Sequence, residues 1–276
     1  MNIRAILKQY RPRFVFTFLL LLLESGINIL FPLFIGYAID NAINGSYTGA
    51  LYLGGLSISA LVVGVIRRVF DSRFYAKVYQ NIGLKADVKI QDKPSSVRAA
   101  RLSMIGELVE FLENSLPELI NTVIGFIGVI VIMATLNMAV FYSSVMVSLL
   151  IFLVYWLSSK KTIAFNKSSN DEFEKQVIII ATNDKKLLSH HLKEMMKWNI
   201  KLSDLEALNF SISWIALSIF LVASIVISIH SGILKYGLLL SLVMYVFQYM
   251  ESVINLPFFY QSWLRLREIK TRIETI

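Results

Sequence analysis

Residues 14–40 read FVFTFLLLLLESGINILFPLFIGYAID, and this stretch decides the fold class. It is almost wholly apolar over a length that, at about 1.5 Å of helical rise per residue, crosses a bilayer core of roughly 30 Å. Five further apolar runs follow, so the sequence predicts an all-α membrane protein with six transmembrane helices. The predicted spans are Phe14–Ile39, Ala50–Ile66, Leu116–Leu136, Met138–Leu157, Phe210–Ile229 and Tyr236–Phe258.

The composition of the 276 residues supports a membrane protein and excludes several kinds of site. Hydrophobic residues make up 56% of the chain and charged residues 17%, which is too apolar for an ordinary soluble domain. Cysteine is absent, which excludes thiolate metal sites and cysteine nucleophiles. The pair His190 and His191, one turn before Glu194, has a spacing that a metal ion accepts, but a solvated helix face explains it better. We therefore predict no metal, no cofactor and no enzymatic activity.

The charged residues predict the orientation in the membrane. Of the 27 Lys and Arg residues, only Lys235 falls in one of the three short loops between spans. The others lie near the two termini and in two long polar connections, residues 67–115 and 158–209, which are rich in helix formers and predicted to be helical throughout. By the positive-inside rule, both termini and both connections are cytoplasmic. Acidic residues are interspersed among the basic ones, so we predict no nucleic-acid partner. The expected location is a bacterial cytoplasmic membrane.

Several short motifs, taken in their order along the chain, resemble the transmembrane domain of the type IV (B-family) ABC exporters. Residues 31–40, FPLFIGYAID, resemble the family's Pro, Gly and Asp pattern at the end of the first span. Residues 106–109, GELV, match its Gly-Glu-Leu motif in the first cytoplasmic hairpin. The segment Ile6–Arg13 resembles the family's elbow helix, and residues 232–237, GILKYG, resemble its short outer turn. The resemblance covers nearly the whole chain.

The resemblance implies a homodimer of two six-span chains that exchange helices, with residues 259–276 as a C-terminal cytoplasmic tail. It also places the first coupling helix at Pro94–Arg101, where Pro94, Ser95, Ser96 and Arg98 are the possible contacts with an ATPase. No G-x-x-x-x-G-K-[ST] loop occurs in the sequence, so we expect residues 1–276 to form one transmembrane domain without a nucleotide-binding domain or intrinsic ATPase activity.

Two acidic residues lie within the predicted spans at a similar depth. Glu24 is on span one and Glu251 is on span six. A charged side chain at mid-bilayer costs about 2.5–3.5 kcal/mol on insertion scales and usually faces a cavity or a partner. We predict that both exchange protons or bind a cationic substrate. A structural alternative stays open, in which Glu24 bonds to Asn28 or a neighbouring helix, and Glu251 pairs with Arg67 or Arg68.

Other polar or small residues share helix faces with these two acids. On span one they recur every four residues, as Glu24, Asn28, Pro32, Gly36 and Asp40. On span six one face carries Ser241, Met244, Gln248, Glu251 and Asn255. The two faces predict one polar cavity between spans one and six. The residues predicted to form its substrate or proton pathway are Glu24, Asn28, Gln248, Glu251 and Asn255.

Three functions are compatible with this sequence. The first is a transporter that moves an organic or peptide-like substrate by alternating access, coupled to a proton gradient, as the resemblance permits for peptide-uptake proteins with this domain and no ATPase. The second is the membrane subunit of an ABC transporter powered by a separately encoded ATPase, which would dock on Pro94–Arg101 and Ile178–Ser189. The third is a non-transporting membrane scaffold or regulator, which would need no acidic residue at mid-membrane.

Overall fold

The structure is a computed structural model that describes residues 10–89, 91–92, 95–232 and 235–274. Within these ranges, side chains are described except at positions 89, 96, 97, 100, 101, 104, 170, 174, 177, 178 and 256–274. This part of the chain contains helices and turns but no β-strand. The helices are α1 (Arg11–Ile43), α2 (Thr48–Lys89), α3 (Ser95–Glu110), α4 (Leu116–Leu136), α5 (Met138–Glu174), α6 (Gln176–Ala181), α7 (Lys185–His230) and α8 (Tyr236–Glu274), with a π-helical turn at Phe111–Ser115 between α3 and α4.

Six helical stretches are long and apolar enough to cross a membrane, which confirms the predicted number of spans. They correspond to α1, α2, α4, α5, α7 and α8. Asn137 alone separates α4 from α5. The predicted elbow helix Ile6–Arg13 lies mostly outside the described residues, and α1 already begins at Arg11. The helix of span six continues to Glu274, so the predicted tail begins as an extension of that span.

The described helices divide into two compact units. The first unit contains α1 to α4 and α8. The second unit, Ala139–Ile227, contains spans four and five with the connection between them. The sites described below are each contained within one unit.

In the first unit, the end of α2 that is predicted to be cytoplasmic packs against α3 through an apolar cluster. Phe74 of α2 lies edge-on to Phe14 of α1, with 4.9 Å between the ring centroids. Gly106 stands beside the ring of Tyr79. The Gly-Glu-Leu motif therefore fixes this hairpin by packing, since its Leu108 and Val109 are cluster members. The buried cluster consists of Phe74, Tyr75, Val78, Ile82, Ala86, Ile105, Leu108 and Val109.

Neither long connection is helical throughout, which corrects the prediction: the first has a turn at residues 91–92 between α2 and α3, and the second, in the second unit, breaks twice. The helix breaks at Lys175 and again at residues 182–184, on either side of the short helix α6. Asn183 has a φ of 54°, a left-handed conformation that Asn tolerates better than most residues. Asp184 then caps α7, because its Oδ1 accepts the N–H of Lys186 at 2.8 Å. The predicted docking region Ile178–Ser189 coincides with this break.

His191 lies within the same unit and is buried, with 1% of its surface exposed. Its Nδ1 is 2.8 Å from Oε1 of Glu172, so the ring ties α7 to α5. Glu194 pairs with Lys197 instead. Among the described residues, no group of three or more metal-ligating side chains forms. The prediction of a solvated face is therefore wrong for His191, because its ring is buried and its Nδ1 contacts Glu172 of α5.

Candidate functional site

Spans one and six make their closest approach at two glycines. A Cβ built on Gly36 would overlap the carbonyl oxygen of Gly237 and lie 2.8 Å from its carbonyl carbon. Only residues without a side chain permit backbones to approach so closely. One turn further along span one, Asp40 Oδ1 accepts the N–H of Gly237 at 2.8 Å. Asp40 thus satisfies a free N–H at the start of α8, where the helix dipole also favours a carboxylate.

Hydroxyl groups of span six bond to the backbone of span one around Pro32. Ser241 donates to the carbonyl of Pro32 at 2.7 Å, and Tyr245 donates to the carbonyl of Ile29 at 2.7 Å. Proline lacks an N–H and disturbs the hydrogen bonds of the preceding turn, so carbonyls there gain from donors on a neighbouring helix. These contacts give the Pro, Gly and Asp pattern of span one a physical role, because all three residues contact span six.

A polar cavity of about 280 Å³ lies between α1, α4 and α8, further along these helices from the glycine contact. Ser25 of α1 bonds to Asn121 of α4 at its wall. The polar lining includes amides, hydroxyls and two carboxylates. The lining residues are Ser25, Asn28, Ile29, Glu118, Asn121, Thr122, Gly125, Val129, Gln248, Glu251, Ser252 and Asn255.

The cavity brings together most of the predicted pathway residues. Asn28, Gln248, Glu251 and Asn255 all line it, whereas Glu24 does not. Sequence reasoning missed the contribution of span three and of two serines. The signal for span three was present in the sequence: residues 118, 121, 122 and 125 have the i, i+3, i+4, i+7 spacing of one helical face. The missed polar residues are Ser25, Glu118, Asn121, Thr122 and Ser252.

Two cavity residues have unmet bonding capacity among the described residues. Glu251 is exposed in this chain and makes no ion pair or hydrogen bond with them. The side-chain oxygen Oε1 of Gln248 is buried and has no hydrogen-bond partner. A buried acceptor without a partner costs about 1–3 kcal/mol, so a group that supplies a donor would bind favourably at this position.

Glu24 belongs to a different arrangement, on the side of span one that faces span two. Its carboxylate bonds to Nε of Arg67, and Nη1 of Arg67 lies 3.3 Å from Oδ2 of Asp71. Thr17 donates to the other oxygen of Asp71 at 2.7 Å. The alternative in which Arg67 or Arg68 neutralises Glu251 is therefore wrong, because Glu24 and Asp71 occupy the guanidinium of Arg67 and Glu251 forms no ion pair with a described residue.

The geometry of the helix explains why Glu24 is separated from the cavity. Residues four apart on an α-helix are offset by about 40°, so a stripe with this period turns gradually around the axis. Glu24 and Asp40 are consequently about 160° apart. One stripe of span one contacts α2 at Glu24, the cavity at Asn28 and α8 at Gly36 and Asp40.

The sequence of the chain matches the family model described as the ABC transporter transmembrane region over residues 3–260. The chain belongs to this family. A search of curated proteins finds no match to it. The family match confirms the resemblance of the motifs and, with the six apolar helices, makes the chain an integral membrane protein and a membrane transporter subunit.

In this ABC transporter transmembrane region, three of the predicted coupling residues, Ser95, Ser96 and Arg98, lie in the first turn of α3. The guanidinium of Arg98 donates three hydrogen bonds of 2.7 to 2.9 Å to the carboxylate of Asp87 on α2, which holds the two sides of the hairpin together. Ser95 is exposed at the start of α3. Pro94 and the side chain of Ser96 lie outside the described residues. The side chain of Arg98 is already bonded to Asp87, and its contact with an ATPase stays a prediction.

The ion-pair network of this transmembrane region gives a stability prediction. We expect Arg67→Gln to destabilise the protein by about 3–5 kcal/mol, since it leaves the carboxylates of Glu24 and Asp71 buried without their cation. Glu24→Gln should cost less, because Arg67 keeps Asp71. Thermal unfolding of the detergent-purified variants measures this order. The matched control is Arg68→Gln, because Arg68 is the exposed neighbour. Equal melting temperatures for the Arg67 and Arg68 variants would contradict the structural role.

Proposed function

We propose that the chain moves an organic or peptide-like substrate through the cavity between α1, α4 and α8 by alternating access, coupled to a proton gradient. The observation that carries the proposal is the position of Glu251, an acid within an apolar span that lines a polar cavity and is not bonded to any described residue. An ionisable group in such a place is usually part of a substrate or proton pathway. Glu251 loads a proton from one side of the membrane and releases it to the other.

The coupling role of Glu24 is narrower than that of Glu251. Its carboxylate is bonded to the guanidinium of Arg67, a residue of span two. In this mechanism Glu24 therefore responds to movement of span two. Glu251 is the direct proton carrier in this mechanism.

A separately encoded ATPase is the second candidate for the energy source. The observations that favour it are the family match and two contacts within the long connections. Arg98 of α3 is bonded to Asp87 of α2 in the first connection, and Asp184 caps α7 in the second. Such contacts help a helical connection to pass a push from an ATPase into the spans, whereas a transporter driven by protons alone does not require them.

Reconstitution into liposomes separates the two energy sources. A pH gradient is imposed across liposomes that contain the purified chain and no nucleotide, and a trapped pH indicator follows proton flux with and without a mixture of tryptic peptides. We expect flux that depends on the protein and is stimulated by the peptides. If flux appears only when ATP and a co-purified ATPase are supplied, the proton-coupled mechanism is rejected in favour of the second candidate.

The assembly that we propose is a homodimer with exchanged helices. Asn28, Glu118 and Glu251 line the cavity and are exposed in the single chain, and polar groups of a membrane span need a protein or water environment rather than lipid. A second copy that covers this face provides one. Native mass spectrometry from detergent should give twice the chain mass. A stable monomer with transport activity would contradict the dimer.

A further inference from the structure

The cavity is acidic and its described lining contains no compensating cation. Glu118 projects from α4 and Glu251 from α8, and none of the twelve lining residues is Lys, Arg or His. The remaining polar groups are carboxamides and hydroxyls, all of which offer acceptor oxygens. Such a lining attracts a positively charged group that carries hydrogen-bond donors.

The backbone before Glu118 departs from the α-helix. The N–H of Leu116 bonds to the carbonyl of Phe111, five residues back, which makes Phe111–Ser115 a π-helical turn. Pro117 explains the wider turn, because it has no N–H and its ring excludes a normal α-helical bond at that position. Single π-helical turns are frequent at functional sites. Here Glu118, which lines the cavity, lies three residues after the last residue of the turn.

A second observation, independent of the acids, also indicates a ligand. The buried Oε1 of Gln248 lacks a donor among the described residues and belongs to the lining of this cavity. A bound ammonium or guanidinium group supplies a donor for this oxygen and charge for the two carboxylates. A lone metal ion fits less well, since the described residues contain no group of three metal-ligating acids or imidazoles.

We propose that Glu118 and Glu251 are the specificity-determining residues for an organic cation whose ammonium or guanidinium group binds in this cavity. This inference rests on the proposed transport function and specifies its substrate class. The volume of about 280 Å³ is near the lower limit of ligand pockets, roughly 300–1,000 Å³. The cavity therefore holds a small cation or one charged side chain of a larger substrate.

Binding of labelled cations to the full chain in neutral-lipid nanodiscs tests this inference. The probes are spermidine for ammonium groups and agmatine for guanidinium, with glutarate as the anionic control. We expect saturable binding of at least one cation at pH 7.5, about tenfold weaker for Glu118→Gln and for Glu251→Gln, since each removes one charge-assisted contact. Glu118→Asp should retain most of the affinity, because it keeps the carboxylate.

The matched control is Glu110→Gln, which neutralises an exposed acid of α3 outside the cavity lining and should leave the affinity unchanged. Size-exclusion profiles establish that each variant remains folded. The proposal is overturned if neither cation binds saturably, if Glu118→Gln binds as tightly as the unchanged chain, or if glutarate competes as well as the cations. Intact cation binding without any proton flux would reject the proton-coupled mechanism and leave this site standing.

Discussion

Glu251→Gln is expected to reduce proton flux driven by a pH gradient to the level of protein-free liposomes. The amide keeps the size of the side chain and its hydrogen bonding but cannot ionise, so the proton pathway loses its carrier. The physical basis is the position of Glu251 in the cavity wall, where no described residue neutralises it. The measurement is the initial rate of dye-reported proton flux in proteoliposomes of equal protein content.

Two controls separate this effect from damage to the fold. Glu251→Asp keeps an ionisable group and should retain measurable flux. Glu110→Gln neutralises an exposed acid outside the cavity and should behave like the unchanged chain. Normal flux in Glu251→Gln would show that proton coupling does not depend on this residue, and would favour an ATPase as the energy source.

Gly36→Ala is expected to destabilise the protein strongly. The added methyl group would overlap the carbonyl oxygen of Gly237, a backbone atom that cannot rotate away. Overpacking usually lowers the free energy of unfolding by about 1–3 kcal/mol. We expect a loss at or above the upper end of this range, because the backbones of the two helices cannot move aside as a flexible side chain can. Spans one and six would separate, and the bonds from Ser241 to Pro32 and from Gly237 to Asp40 would lengthen.

Gly26→Ala is the matched control, because Gly26 lies on the same helix and a Cβ there meets nothing within 4 Å. Alanine has the higher helix propensity by about 1 kcal/mol, so this variant should be neutral or slightly stabilised. Thermal unfolding in detergent compares the two. A Gly36→Ala protein that melts together with Gly26→Ala would show that spans one and six do not approach as closely as the structure has them.

The number and position of the spans could be predicted because hydropathy is local. Each apolar run is long enough to cross the bilayer, and short polar interruptions such as Asn137 mark the turns directly. The second long connection was less predictable. Its residues favour helix, but the break depends on the conformation of Asn183 and on a cap from Asp184, which a count of helix formers does not detect.

The helix faces that line the candidate site could be predicted from the sequence, but the pairs of residues that bond to each other could not. Polar periodicity placed Asn28, Gln248, Glu251 and Asn255 on cavity-facing sides, and the structure brings them together. The partner of Glu24 depends on which helix packs beside span one at that depth. No local pattern gives this information, so the sequence left Arg67 as a partner for the wrong acid.

The contribution of span three was missed for a different reason. Its polar residues lie near the start of the predicted span. A carboxylate such as Glu118 is common at the boundary between a span and a polar loop, so it drew no attention. A π-helical turn precedes Pro117, and Glu118 lines the cavity from the first turn of the helix that follows. A search for i, i+3, i+4, i+7 polar spacing on every span would have included it.

In the proposed transport cycle, the cavity between α1, α4 and α8 opens to each side of the membrane in turn. The sequence contains no cysteine, so one introduced thiol reports on one position. Thr122→Cys places the thiol in the cavity lining, and Val123→Cys places it on the next residue, outside that lining. The measurement is the rate of modification by a membrane-impermeant cationic thiol reagent, added to either side of oriented proteoliposomes. We expect modification of Thr122→Cys from both sides, at rates that shift in opposite directions when the pH gradient is reversed, and much slower modification of Val123→Cys. Equal rates at the two positions, or access from one side only under every gradient, would contradict it.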